Sequence, residues 1–524
     1  MKSTYPFDPY DWTTITPLLD ALSDMPVSND GFMDWLAQWN ELDIDVWDAY
    51  TQLKRHAYVD TSDHAAEAAY QTYVQELYST YLGHTNTLIT KALTLQPEAP
   101  APAYQQLWRR WRNQATLFDP ASLPIQAEIG RLEGRYRAIM NRYEGTPENP
   151  LAYWMDRRDE LNDLMLRLLK LRRTLAHSSG LPTFLAYRWR ELNRLDYSIA
   201  DCQSFHRAVE RMVPAIAEFR SRGLSNLSFP EVDDLERLTE GAERILRQVD
   251  PTFGDIFQAM RDGYLDLGYR PDKVPSNESW FFPRAGMPYI HVASTNAGSV
   301  FHESGHGVHD YLSFQAHGSL WNLNGPEEFQ EFAATSMDMF CWRYYGRAKG
   351  SLYSAAETAV ARQSVLQLYL GFASVVCVMQ DAFEHWLYGE APEDVIPADL
   401  DAKWLELKKR FEPWDDDYAS EAEKMTGWQR NTWSLFRMPL YMITYPMAMV
   451  GTCQLGRLVQ TDRARVINNY KAALALGNTQ ALPELFGVVG LAFPFAEQAV
   501  EEAIKFVFDQ WTPYLTELDS NIPK

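Results

Sequence analysis

Apolar residues recur along most of this chain at three- and four-residue intervals, the period of a helix with one buried face. Over Arg157–His177, Leu161, Leu164, Leu168 and Leu171 fall on one side, and Gly180 and Pro182 follow as stop signals. Between Ser198 and Arg222 the spacing repeats through Phe205, Val209, Met212, Val213, Ile216 and Phe219, up to Gly223. Pro214 inside that run predicts a kink or a break, because proline removes a helical hydrogen bond. Phe495–Trp511 is again two-faced, with Val500, Ile504, Val507, Phe508 and Trp511 together. Strand signals are confined to Trp280–Phe282 and Tyr289–Val292, short aromatic and β-branched runs bounded by Pro and Gly. Turn formers cluster at Gly145–Pro150, Tyr269–Asn277 and Ala391–Asp399, none long enough to be a tether. The pattern predicts one mainly α body, with an N-terminal helical region over residues 1–195 continuous with 196–524.

Composition narrows the class. The chain has 524 residues, 46% hydrophobic and 13% aromatic, which excludes a disordered chain and suffices for a large core. A net charge of -22 argues against nucleic-acid binding, which needs clustered Lys and Arg. Cys202, Cys341, Cys377 and Cys453 form no CxxC pair and read as reduced core residues, which suits a cytoplasmic setting. The N-terminus shows no charged region followed by an apolar run, so no signal peptide is expected. No stretch reaches the roughly 18 to 20 uninterrupted apolar residues of a membrane span. The richest, Met438–Leu455, reads as a buried core segment.

One segment carries readable chemistry. His302-Glu303-Ser304-Gly305-His306 is an HExxH pattern, and five of the 11 histidines lie between His291 and His317. On a helix, positions i and i+4 share a face, so His302 and His306 can hold one zinc ion while Glu303 holds a water beside it. Asn296 or Ser299 can cap such a helix. A catalytic zinc needs a third protein ligand and an open position. Downstream, Asn324 reads as a helix cap and Pro326 as a first-turn residue. Spacing alone does not choose among Glu327, Glu328 and Glu331. The first two are ordinary dipole partners in a first turn, whereas Glu331 sits among Phe332, Ala333 and Ala334 and needs a partner. Asp338, seven positions beyond Glu331, shares its face.

These residues resemble the M3 family of zinc metallopeptidases, nearest its oligoendopeptidase F branch. The matching elements are His302-Glu303-Ser304-Gly305-His306-Gly-Val-His309, then Glu331, then Asp338, together with Pro288-Tyr-Ile-His-Val-Ala upstream. Pro439-Leu-Tyr-Met-Ile-Thr-Tyr445 is similar to the family's tyrosine segment, and Ala473–Glu497 to its closing segment. Where the family places a histidine shortly before the tyrosines, this chain has Trp433-Ser-Leu-Phe-Arg-Met438, with Arg437 as a substitute donor.

The resemblance implies a zincin-type, mainly α fold with two helical lobes around a deep channel and a small sheet near the zinc helix. It implies one Zn²⁺ per chain on His302, His306 and Glu331, with Glu303 as general base for a metal-activated water and Asp338 behind a zinc histidine. Tyr441 and Tyr445 would donate to the developing oxyanion, sharing a helical face if their segment is helical. Tyr289–Val292 would be an edge strand that takes up the substrate backbone, with Tyr289 on the substrate side; His309 would either touch substrate or pack, and His291 would be a substrate-strand residue or a satisfied histidine beside the sheet. The implied activity is endopeptidase cleavage of short unfolded peptides; composition, not the resemblance, leads to the expectation of no nucleic-acid or membrane partner. The competing readings are a zinc carboxypeptidase of the M32 type and a non-catalytic peptide-binding scaffold.

Overall fold

The computed structural model describes residues 5–74, 78–143, 150–221, 227–346, 352–414, 427–430 and 433–520. The predicted turn at Gly145–Pro150, apart from Pro150 itself, and the predicted stop at Arg222 and Gly223 lie outside the described residues. Helices dominate, with one three-stranded sheet among the described residues. The chain divides into two compact units. One comprises residues 1–115, 228–365 and 454–492, the other 116–227, 366–453 and 493–524. Each is assembled from three separate stretches, and the boundary drawn at 195/196 falls inside the second.

The first unit is built around aromatic packing. Trp39 stacks on Trp111 at 5.0 Å, Trp321 meets both edge-on, and Trp35 and Trp108 extend the cluster. Each such pair adds about 0.5–1.5 kcal/mol beyond simple burial. The sheet contains β1 (Leu265–Leu267), β2 (Asn277–Phe282) and β3 (Met287–Val292) in the order β1-β3-β2. β3 pairs parallel with β1, Asp266 opposite His291, and antiparallel with β2, Trp280 opposite Tyr289. β2 and β3 contain the two runs whose composition signals strands. β1 carries no such signal, since Leu-Asp-Leu is too short to show alternation. The helix Ala297–His317 packs across β2 and β3. Gly307 allows this approach, because a Cβ there would meet the Pro288 ring at 3.2 Å.

The start of the next helix corrects the sequence reading. The helix Glu327–Cys341 begins directly after Pro326 and has no side-chain cap. Asn324 instead takes the left-handed conformation (φ 59°), and its Nδ2 donates to Gln330 Oε1 at 3.3 Å. Asparagine tolerates that backbone region, so it serves here as a turn residue rather than a cap.

The second unit is helical. Leu161, Leu164 and Leu168 on the helix Pro150–Ser178 are fully buried, and Leu171 is half-buried. The helix Ile199–Ser221 runs through Pro214 without a break, its face of Phe205, Val209, Val213, Ile216 and Phe219 buried. Packing of that face outweighs the local cost of the proline. Arg172, 1% exposed, donates to Tyr388, to the carbonyls of Leu435 and Phe436, and to Glu133. A buried guanidinium is tolerable only when its donors are taken up in this way. Met438–Leu455 is not the most membrane-like stretch. By length and composition the helical run Ala355–Gly389 could cross a bilayer, and 67% of its most apolar window is buried inside the protein.

Candidate metal centre

The helix Ala297–His317 is set by local rules at both ends. Asn296 Oδ1 accepts the Ser299 N–H at 2.8 Å, and Gly318 closes the helix in the left-handed conformation at φ 59°. His302 and His306 stand one turn apart on it, their rings 5.1 Å from each other and nearly perpendicular. The Glu327–Cys341 helix lies unusually close, and Gly305 is the reason. A Cβ at that position would fall 2.5 Å from Ala334 Cα and 2.8 Å from the Ala333 carbonyl oxygen. Tyr470 donates to that same carbonyl at 2.6 Å.

This approach brings one ligand atom each of His302, His306 and Glu331 within 4.8 Å of one another. His302 Nε2 faces Glu331 Oε2 at 3.5 Å, while its Nδ1 faces Asp338 Oδ2 at 3.3 Å. With a metal bound, Asp338 would accept the Nδ1 proton and leave Nε2, the nitrogen aimed into the cluster, with its lone pair for the ion. Glu327 and Glu328 are not part of this convergence.

The cluster is short of positive charge. Glu303 is 5% exposed, and burial pushes its carboxyl up to about 8, with Glu331, Glu278 and Asp338 adding to the effect and His302 opposing it. Burial also raises Asp338. Burial alone would lower His302, yet Asp338 and Glu331 hold it well above the ordinary imidazole value. His306 is pushed down to about 4 by burial. Three buried carboxyl groups thus crowd two imidazoles, one of which is drawn toward protonation as the available cation. Two imidazole nitrogens and a carboxylate are also the three-donor set of an open zinc site. Donor type, convergence and charge all fit a divalent metal.

Other predicted site residues fall elsewhere. His309 is 1% exposed and packs edge-on against Phe329, and burial lowers its ring to about 3. Tyr289 and His291 are likewise buried. Tyr289 packs on Trp280 and Phe282, and His291 Nε2 lies 2.8 Å from the Val274 carbonyl with Nδ1 3.5 Å from Asp266. The expected edge strand at Tyr289–Val292 is overturned: β3 is the middle strand, its backbone groups already paired on both sides. Added-strand pairing requires an unpaired edge, and here the edges are β1 and β2.

Tyr441 and Tyr445 belong to the second unit. Their rings meet edge-on at 5.6 Å. They do not share a helical face, because the helix starts at Thr444 and Tyr441 precedes it. Leu440, just before Tyr441, is held at φ 64°, and its N–H donates to the buried Glu384 carboxylate. That contact holds a branched side chain in a backbone region it normally avoids.

Comparison with known proteins bears on the same residues. The model of peptidase family M3 matches residues 294–505. No curated protein sequence matches the chain. Among solved structures, one described as oligoendopeptidase F superposes with a TM-score of 0.84 at 20% identity, covering 97% of this chain and 98% of its own. A PZ peptidase A solved with an inhibitor gives 0.85 at 17% identity, covering 97% and 99%. A Bacillus anthracis str. Ames structure, also described as oligoendopeptidase F, gives 0.81 at 16% identity, covering 99% and 98%. At these identities the superpositions establish a shared fold.

Proposed function

On the match of residues 294–505 to the model of peptidase family M3, we propose that this chain is a zinc-dependent endopeptidase acting on internal bonds of short, unfolded peptides. The observation that carries this reading is the convergence of His302, His306 and Glu331 within 4.8 Å, with Glu303 next to the first of them in the same helix.

In the proposed reaction His302, His306 and Glu331 hold the ion, and Asp338 fixes the His302 ring by accepting its Nδ1 proton. When bound, zinc supplies a Lewis acid that polarises the substrate carbonyl and makes water more acidic. Glu303 takes the proton from the attacking water and returns it to the amine nitrogen as the peptide bond breaks. Burial keeps that carboxyl away from bulk solvent, so the proton it takes is held for the leaving group. Gly305 serves the chemistry by permitting the helix approach that brings Glu331 to the histidines.

The solved structures described as oligoendopeptidase F support short peptides as the substrate class. The four cysteines, all buried and none in a disulfide, support a reducing, cytoplasmic setting. The experiment is digestion of a peptide blocked at both ends, with products read by mass spectrometry. Internal cleavage that stops on chelation and returns with zinc is expected. Trimming of only those peptides with an open C-terminus would replace the endopeptidase by a carboxypeptidase, and complete inertness would remove the enzyme.

A further inference from the structure

The second unit contains another convergence of ligand-type side chains, and it belongs to none of the chemistry above. Cys202 and His206 lie four apart on the helix Ile199–Ser221, and Asp381 and His385 lie four apart on the helix Cys377–Gly389. The two pairs face each other where these helices pack. One ligand atom each of Cys202, Asp381 and His385 lies within 4.8 Å of the others. His206 Nε2 is 2.7 Å from Asp381 Oδ2, and the two imidazole rings are 5.0 Å apart.

The group is sealed. Cys202 and Asp381 are 0% exposed, His385 4% and His206 7%. The edge of Trp189 meets the His385 ring at 6.0 Å. Its polar atoms are incompletely served. His385 Nε2 is paired with Asp381 Oδ2 at 3.3 Å, while its Nδ1 makes no hydrogen bond among the described residues. Asp381 Oδ1 also lacks one there. A buried ring nitrogen and a buried carboxylate oxygen without partners are costly, by about 1–3 kcal/mol each. A cation beside them offsets that cost.

We propose that Cys202, Asp381 and His385 form a second, structural site for a divalent transition metal such as zinc, with His206 orienting the Asp381 carboxylate. The donor set of thiolate, imidazole and carboxylate is that of zinc. Zinc bonds of 2.0–2.3 Å would draw the donors to about 3.3–3.8 Å from one another, a side-chain adjustment from their present spacing. His206 plays the part of the group behind a metal ligand, as Asp338 does for His302. Because no ligand is open to solvent, the ion would tie the two helices together rather than act on substrate. Binding requires loss of the Cys202 proton, so uptake releases one proton per ion at this thiol.

The test counts metal in the full-length protein after equilibration with buffered zinc. Two ions per chain are expected for the wild type. One is expected for a His302→Ala/His306→Ala double variant, which leaves the second cluster untouched. When that double variant is loaded with cobalt(II), a thiolate-to-cobalt charge-transfer band should appear in the near ultraviolet. Adding Cys202→Ser should abolish the band. One ion in the wild type and none in the double variant would overturn the proposal and leave an internal His–Asp–His network. An ion retained by the double variant without a thiolate band would overturn it equally, since the metal would then sit elsewhere. Because the double variant keeps Cys202, misfolding of the serine substitution leaves the count decisive. The outcome is also separable from the peptidase reading, which requires the ion that the double variant loses.

Discussion

The His302–Glu331 cluster and the Cys202–His385 cluster use one device in two settings. Both have two ligand-type residues four apart on one helix and take a third from a neighbouring helix, the Glu331 carboxylate in the first and the Cys202 thiol in the second. In both, a further residue holds one of the converging groups from behind. They differ in access and in charge. The His302 side chain is 26% exposed, whereas every member of the second cluster is below a tenth. The first cluster carries three carboxyl groups and is short of positive charge. In the second, burial alone would raise Asp381, yet its two histidine neighbours hold it well below the ordinary carboxylate range. The lesson is that spacing along a helix makes a metal site possible, while exposure decides whether an ion there can meet a substrate.

Chelation should separate the two most sharply. A strong chelator is expected to remove the exposed ion first and to take hydrolysis to background, with full recovery on adding zinc. Loss of the enclosed ion should come later and lower the melting temperature, because an ion bound only by the folded state stabilises it. Hydrolysis indifferent to chelation would erase the distinction.

Glu331→Ala comes next. It removes a ligand of the exposed site alone, so metal content should fall by one ion per chain and activity should vanish. Unchanged metal content would show that Glu331 is not a ligand. Asp338→Asn keeps the shape but weakens the acceptor behind His302. Zinc affinity or turnover should fall about 10- to 100-fold, measured by competition with a chromophoric chelator and by steady-state kinetics. The smallest chemical change, one methyl group in Gly305→Ala, meets the backbone of Ala334. It should cost about 1–3 kcal/mol of stability in denaturant unfolding, and it should weaken zinc binding by pushing Glu331 away. A variant as stable as wild type and as tight for zinc would contradict the close-approach argument.

Some of this was readable from the chain and some was not, for physical reasons. The His302–His306 pair is legible because its geometry is local, fixed by the pitch of a single helix. A cap at Asn296 or Ser299 is legible for the same reason, and the structure selects Asn296. Glu331 stood beside Glu327 and Glu328 as a candidate that its apolar neighbours and the family resemblance favoured, and the packing of two helices through Gly305 brings it to the histidines. The central place of β3 was hidden because its second neighbour is Leu265–Leu267, too short to signal a strand. That burial removes Tyr289–Val292 from any strand-addition role. Asn324 misled because capping and left-handed turns favour the same residue types. The second cluster went unread although both i, i+4 pairs stand in the sequence, because 175 positions separate His206 from Asp381 and no local pattern joins them. Tyr470, which donates to the backbone of the Glu331 helix, carries no sequence signal at all.

The account turns on Glu303 as the proton carrier beside an ion held by His302, His306 and Glu331. The direct measurement is zinc content and turnover of Glu303→Gln on a peptide blocked at both ends. Zinc retained at the wild-type level with turnover lowered by about 10²–10⁴ is the predicted result. Turnover near wild type with the ion still in place would contradict it.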